Sequence, residues 1–163
     1  MSHRREDIIT IEVLAPEQLR TVFDLGNAAA LGWEWEAYRA EMTKPHWAHY
    51  AIYRADEFCG CVSLELRNAV KVRYHISKRP RSVTPRQVRD LLWVIGGQLF
   101  RGGIQVIEAI IDQGNRASRR LALGCHLRRD GQTAEGERFY ITPEIYNDIE
   151  NNEQQAQTGN ASI

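Results

Sequence analysis

The stretch Ile104–Cys125, IQVIEAIIDQGNRASRRLALGC, decides the fold. From Ile104 to Ile111 it is apolar on both alternating faces except at Gln105 and Glu108, the composition of a central strand covered on both sides. A tight turn through Gly114 follows, then Asn115, whose side chain suits a helix cap, and Leu123-Gly124, where a short helix would stop. A buried strand that runs straight into a capped helix belongs to an α/β plan.

Upstream, Gly102-Gly103 end a helix that opens at Thr84-Pro85, a hydroxyl cap followed by proline at the first helical position. Val88, Leu91, Leu92, Ile95 and Leu99 form its apolar stripe. Before it, His46–Arg54 and Phe58–Asn68 read as strands joined by the polar turn Ala55-Asp56-Glu57, and Val70–Ser77 supplies a third strand of an antiparallel meander. Asp7–Val13 alternates apolar and polar residues, the period of a half-buried first strand. Pro16 starts a helix carrying Leu19, Val22 and Phe23 as far as Gly26, and Trp33–Thr43 is a second, with Trp35, Tyr38 and Met42 on one face and Pro45 closing it.

Downstream, a strand near His126–Asp130, a turn at Gly131 and a strand Arg138–Ile141 are expected. Thr142-Pro143-Glu144 then begins a brief last helix with Ile145, Tyr146 and Ile149. The expected organisation is a single domain over 1–150 and a polar tail over 151–163, too poor in apolar residues to fold alone and free to dock on its own domain or on a protein partner.

Lysine plus arginine equals aspartate plus glutamate at 21 each, so no global field draws the chain to nucleic acid or to an acidic membrane surface. No run approaches the ~20 apolar residues that cross a bilayer, and the start MSHRREDIIT has basic residues with no apolar segment behind them, so a cytoplasmic protein is expected. Three cysteines cannot all pair within one chain; reduced thiols fit that compartment, and no metal site is expected because the cysteine and histidine spacings match zinc patterns loosely.

The strand Ile104–Ile111, the Asn115 helix and Leu123-Gly124, taken with the hairpin and the helix opening at Thr84, resemble the C-terminal half of a GNAT, a Gcn5-related N-acetyltransferase. The resemblance implies a central mixed, mostly antiparallel sheet of six to seven strands flanked by about four helices. It implies transfer of an acetyl group from acetyl-CoA to an amine acceptor, a small molecule or a protein. In that family a glycine-rich loop before the long helix presents bare amides to the pyrophosphate. The equivalent positions here are Val83, Thr84, Pro85, Arg86, Gln87 and Val88, with neither glycine, and Pro85 removes one donor. Side chains of Lys78, Arg79, Arg81, Ser82, Thr84 and Arg86 can substitute for amides, with the Ile76 backbone and the Asn115–Ser118 turn completing the implied cofactor site; the alternative is an ordinary solvated basic loop.

The chemistry needs a base, donors for the developing oxyanion and an acid for the thiolate. Glu108 is the leading base candidate because it is a carboxylate in an apolar strand, where desolvation favours the protonated form; a salt bridge to an arginine is the competing role. Glu65 and His75 are further candidates. The family's acid tyrosine aligns with Ala122, leaving Tyr140 or Tyr146 to reach in from the C-terminal segment. Trp33, Trp35 and Trp47 either line an acceptor pocket or pack in the core. Gly114-Asn115, Arg129-Asp130-Gly131 and Phe139-Tyr140 also resemble short tailed-phage proteins with a degenerate GNAT domain, so a non-catalytic interaction protein such as a virion component is the second expectation.

Overall fold

The alternating run before Leu14 forms strand β1 (Ile9–Val13), and the helical stretch after Pro16 forms a 3₁₀ turn (Pro16–Gln18) continued by α1 (Leu19–Leu25). The computed structural model describes residues 8–26 and 28–160; the start of the first strand at Asp7, the basic residues before it and the last three residues of the expected tail lie outside them. Next come α2 (Trp35–Met42), β2 (Trp47–Arg54), β3 (Glu57–Asn68), β4 (Lys71–Lys78) and α3 (Pro85–Arg101). They are followed by β5 (Val106–Ile111), α4 (Arg116–Gly124), β6 (Arg128–Gln132), β7 (Glu137–Ile141) and α5 (Pro143–Asn160). The strands form one seven-stranded, mostly antiparallel sheet in the order β1-β2-β3-β4-β5-β7-β6, with five α-helices where about four were expected. This is the GNAT architecture.

The chain falls into two compact units, one built from the residues up to Arg67 with Arg73–Asp90, the other from Asn68–Val72 with Leu91 onward. In the first, β2 and β3 meet at Ala55 and Asp56, both in the left-handed region at φ 49 and 67, which is the conformation of a two-residue hairpin turn whose twist matches the strands. A bulge between Ile52 and Tyr53 then shifts the pairing, so that Trp47 faces Glu65 and His49 faces Ser63. Gly60 lets the next strand approach: a Cβ there would lie 2.3 Å from the Ser77 carbonyl oxygen and 2.7 Å from Lys78 Cα. Leu19, Phe23 and Tyr38 form a buried cluster with Leu14, Ala28, Trp35 and Met42 against it, which assigns Trp35 to the core.

In the second unit, Ile107, Ala109 and Ile111 of β5 are buried, as are Ala122, Phe139 and Ile141, with Ala109 opposite Phe139 and Ile107 opposite Ile141 in the β5–β7 ladder. Two expectations are corrected there. Gly131 does not turn the chain; it sits inside β6 at φ 92, beside a register shift between Arg129 and Gln132, and the reversal comes at Thr133–Gly136, where Thr133 and Gly136 bond to each other. The last helix is not brief, since α5 continues to Asn160 through residues expected to be tail. Its first turns are anchored by Tyr146, stacked on Trp93 at 4.4 Å between ring centroids, and by Glu150, which accepts from the Trp93 indole N–H. The remaining turns are exposed and follow from those turns at little nucleation cost.

Candidate functional site

β2, β3 and β4 bring polar side chains of alternate positions onto one face within the first unit. Glu65 is nearly buried, accepts from Arg67 Nη1 at 2.6 Å and lies 3.5 Å from His75 Nε2. The hydrogen bond from His75 is the main reason its carboxyl is held at about 2; burial opposes this and Arg67 reinforces it. His75 itself is half exposed, with 49% of its side-chain surface open. Its ring lies 5.3 Å from that of Trp47, which is also stacked on His49 within 8° of parallel and has His46 at 5.9 Å. The Trp47 indole N–H donates to Glu41 of α2, which also pairs with Lys44 and His46. Trp47 therefore belongs to this cluster, whereas Trp33 touches Tyr38 at the rim of the aromatic core.

The loop that follows β4 is fastened mainly to itself and to β3. The Arg79 amide donates to the Cys59 carbonyl, the Ser82 amide to the Arg79 carbonyl, and the Ser82 hydroxyl to both. Arg79 lies over the Phe58 ring, and Arg81 takes a left-handed backbone at φ 61. At the start of α3, Thr84 Oγ1 accepts from the Gln87 amide and Gln87 Oε1 accepts from the Thr84 amide, a reciprocal capping box. Pro85 has no N–H and the Val88 amide is spent on the Thr84 carbonyl. The bed of free amides that a diphosphate requires therefore does not fit this helix start; what the loop offers is the exposed side chains of Arg79, Arg81 and Arg86. Val83 and Val88 are buried. Ile76 and Lys78, the remaining candidates from this segment, lie in β4.

The other candidates lie in the second unit. Glu108 is sealed, with 3% of its side chain exposed, and accepts from Arg138 Nε at 2.7 Å, while Arg138 also bonds Asp130. Burial works against the Arg138 charge, but the hydrogen bonds from it to Glu108 and Asp130 prevail and raise its proton affinity. The competing role weighed for Glu108, a salt bridge, is thus the one its geometry displays. Tyr140 stands opposite Glu108 across the β5–β7 ladder, with the Arg138 guanidinium 5.3 Å from its ring centre. Asn115 caps α4 by accepting from the Ser118 amide at 3.1 Å. Tyr146 is enclosed by α3: a Cβ on Gly97 would lie 2.4 Å from its hydroxyl oxygen. Cys59, Cys61 and Cys125 are buried thiols outside any disulfide. Among the described residues no group of three or more His, Cys, Asp or Glu side chains is placed to hold a metal, and no helix is long and apolar enough to cross a membrane.

Two features of the first-unit cluster escaped sequence reading: the His49–Ser63 pair and the contact of Trp47 with His75. The period of two that puts Trp47 and His49 on one face was present as a signal.

No protein-family model and no curated protein matches the sequence. Solved structures do. A mutant of the spermidine N-acetyltransferase SpeG from Vibrio cholerae superposes with a TM-score of 0.70 at 18% identity, over 85% of this chain and 95% of that one. SpeG in complex with CoA and spermine gives 0.68 at 18% identity, over 85% and 97%. A dodecameric form of the same enzyme gives 0.68 at 18% identity, over 85% and 95%. At such identity the likeness establishes the shared GNAT fold.

Proposed function

We propose that this protein transfers an acetyl group from acetyl-CoA to an amine, with His75 as the base that receives the ammonium proton. The observation that carries this reading is the Glu65–His75 pair. An imidazole must be reachable by substrate and oriented by a partner to act as a base, and His75 is half exposed while Glu65 holds its Nε2 side. Glu108 meets neither condition, being sealed and bound to Arg138. The resemblance to GNATs adds that β4, which carries His75, is the strand whose backbone N–H groups serve as oxyanion donors. Acetyl-CoA would supply the activated acyl group; the chain would meet its phosphates with Arg79, Arg81 and Arg86 rather than with amides.

Spermidine, the substrate named for the structural neighbours, is the first acceptor to assay. Thiol release from acetyl-CoA should be amine-dependent, and His75→Gln should lower turnover at least ~100-fold while leaving the melting temperature close to wild type. Amine-independent or absent thiol release at millimolar acetyl-CoA would overturn the reading. A specific observation favours a second one: the capping box engages the Thr84 and Gln87 amides at the helix start where a coenzyme's diphosphate would bind, as expected of a GNAT fold retained for interaction rather than catalysis. The named neighbours are acetyltransferases and give the virion form of that reading no support. It predicts no thermal stabilisation by acetyl-CoA.

A further inference from the structure

His49 sits beneath the candidate base and takes no part in the proposed chemistry. Its two ring nitrogens are both engaged: Nε2 lies 2.8 Å from the Met42 carbonyl oxygen at the end of α2, and Nδ1 lies 2.8 Å from Ser63 Oγ on β3. A carbonyl only accepts, so the ring hydrogen is on Nε2. Burial lowers the proton affinity of His49, the Met42 bond opposes this, and a charge on nearby His75 lowers it further. With the ring neutral, Nδ1 is left as an acceptor for the Ser63 hydroxyl. The imidazole is thereby pinned in plane from two elements, α2 and β3, besides its own strand.

Trp47 lies flat against this pinned ring, and His75 leans on Trp47. The titratable and charged neighbours of the arrangement come from each element packed on it. Glu65 and, through it, Arg67 come from β3; Glu41 of α2 reaches the indole N–H and pairs with Lys44 and His46, whose ring also lies 5.9 Å from Trp47; Cys61 lies 3.6 Å from Ser63 Oγ. An indole stacked on His49 and bonded to Glu41 at its edge presents a ring face against which His75 rests.

We infer that His49 is a positioning residue: through its bonds to Met42 and Ser63 it clamps Trp47, and through Trp47 it sets the orientation of His75 against Glu65. The role of His75 in chemistry rests on the function proposed above, but the clamp does not. In this arrangement burial, and to a lesser degree a charge on His75, disfavour a positive charge on His49, and loss of the clamp frees His75 to leave Glu65 for solvent.

The test is histidine titration by NMR on the full-length protein without coenzyme, with Trp47 and His75 signals assigned by single substitution. His49→Phe keeps a stacking ring but removes both hydrogen bonds; Ser63→Ala removes one and is the milder change should the first variant fold poorly. In both, the His75 midpoint should differ from that of wild type by at least ~0.5 unit, and the Trp47 indole signal should broaden or shift. If the wild type has acetyltransferase activity, kcat should fall several-fold with the KM for acetyl-CoA unchanged, and the acid limb of the pH profile should move with the NMR midpoint. His49→Gln, which can still donate to Met42, should restore folding without restoring the His75 midpoint. An unchanged His75 midpoint and Trp47 signal in both Ser63→Ala and His49→Phe would overturn the inference, even in an active enzyme. Moved midpoints in a protein without transferase activity would retain the clamp and discard the catalytic reading.

Discussion

Glu65→Gln removes one negative charge from a nearly buried site while keeping the shape of the side chain. Glu65 titrates at about 2 in the folded protein against 4.5 for an ordinary glutamate. That displacement corresponds to an upper bound of ~3.4 kcal/mol at neutral pH. The partners are open to water, Arg67 by 41% and His75 by 49% of their side chains. Solvent screening therefore reduces the contribution to about 1–2 kcal/mol. The folded-state value is depressed, so the stability is fully present above the unfolded value near 4.5 and is lost as pH falls from there toward 2. Urea unfolding of wild type and Glu65→Gln, followed by far-UV dichroism, should differ by about 1–2 kcal/mol at pH 7. The difference should shrink to roughly three-quarters of that by pH 4 and to less than about half by pH 3. A difference that stays constant from neutral pH down to about pH 3 would show that the substitution acts through packing, and the electrostatic account of Glu65 would be wrong.

Gly60→Ala should cost about 3 kcal/mol or block folding, because the new methyl group meets the backbone of β4 at Ser77 and Lys78 rather than a movable side-chain end. Gly114→Ala, with nothing within 4 Å of the added carbon, should stay within ~0.5 kcal/mol of wild type in the same thermal melts. Among the described residues, Glu108→Gln leaves Asp130 as the charged partner of Arg138 and should destabilise by about 2 kcal/mol. If amine acetylation is present, that variant should keep its turnover when measured well below its melting temperature; a loss comparable to that of His75→Gln would return Glu108 to the role of base.

Element type was legible wherever local chemistry determines it. Thr84-Pro85 and Thr142-Pro143 begin helices as read, Asn115 caps α4, and Gly102-Gly103 end α3. The misreadings occurred where a longer-range effect overrode a local signal. Gly131 has the positive φ that usually marks a turn, but here it serves a register shift inside an edge strand. The residues after Asn151 have a composition that does not fold alone, and they are helical because Tyr146 and Glu150 anchor the preceding turns on Trp93.

The site was less legible because it depends on register. A two-residue turn at Ala55-Asp56 pairs Arg54 with Glu57, and an unbroken ladder from that pair would set Trp47 opposite Leu64 and His49 opposite Val62. A one-residue slip turns every side chain of a strand to the other face. The bulge between Ile52 and Tyr53 restores the offset, so Trp47 meets Glu65 and His49 meets Ser63. Composition does not announce such a bulge. The same limit explains why the sequence favoured Glu108 over Glu65. Both are carboxylates inside apolar strands, and desolvation ranks Glu108 higher until the cross-strand neighbours are known. Glu108 then proves to face a guanidinium in a sealed ladder, and Glu65, besides its bond from Arg67, to face an imidazole that water can reach. A sealed carboxylate held by a guanidinium is a structural fixture; one that also orients a solvent-exposed imidazole can support a base. The choice between the two carboxylates therefore rests on partner type and exposure, properties that only the folded register of β2, β3 and β4 supplies.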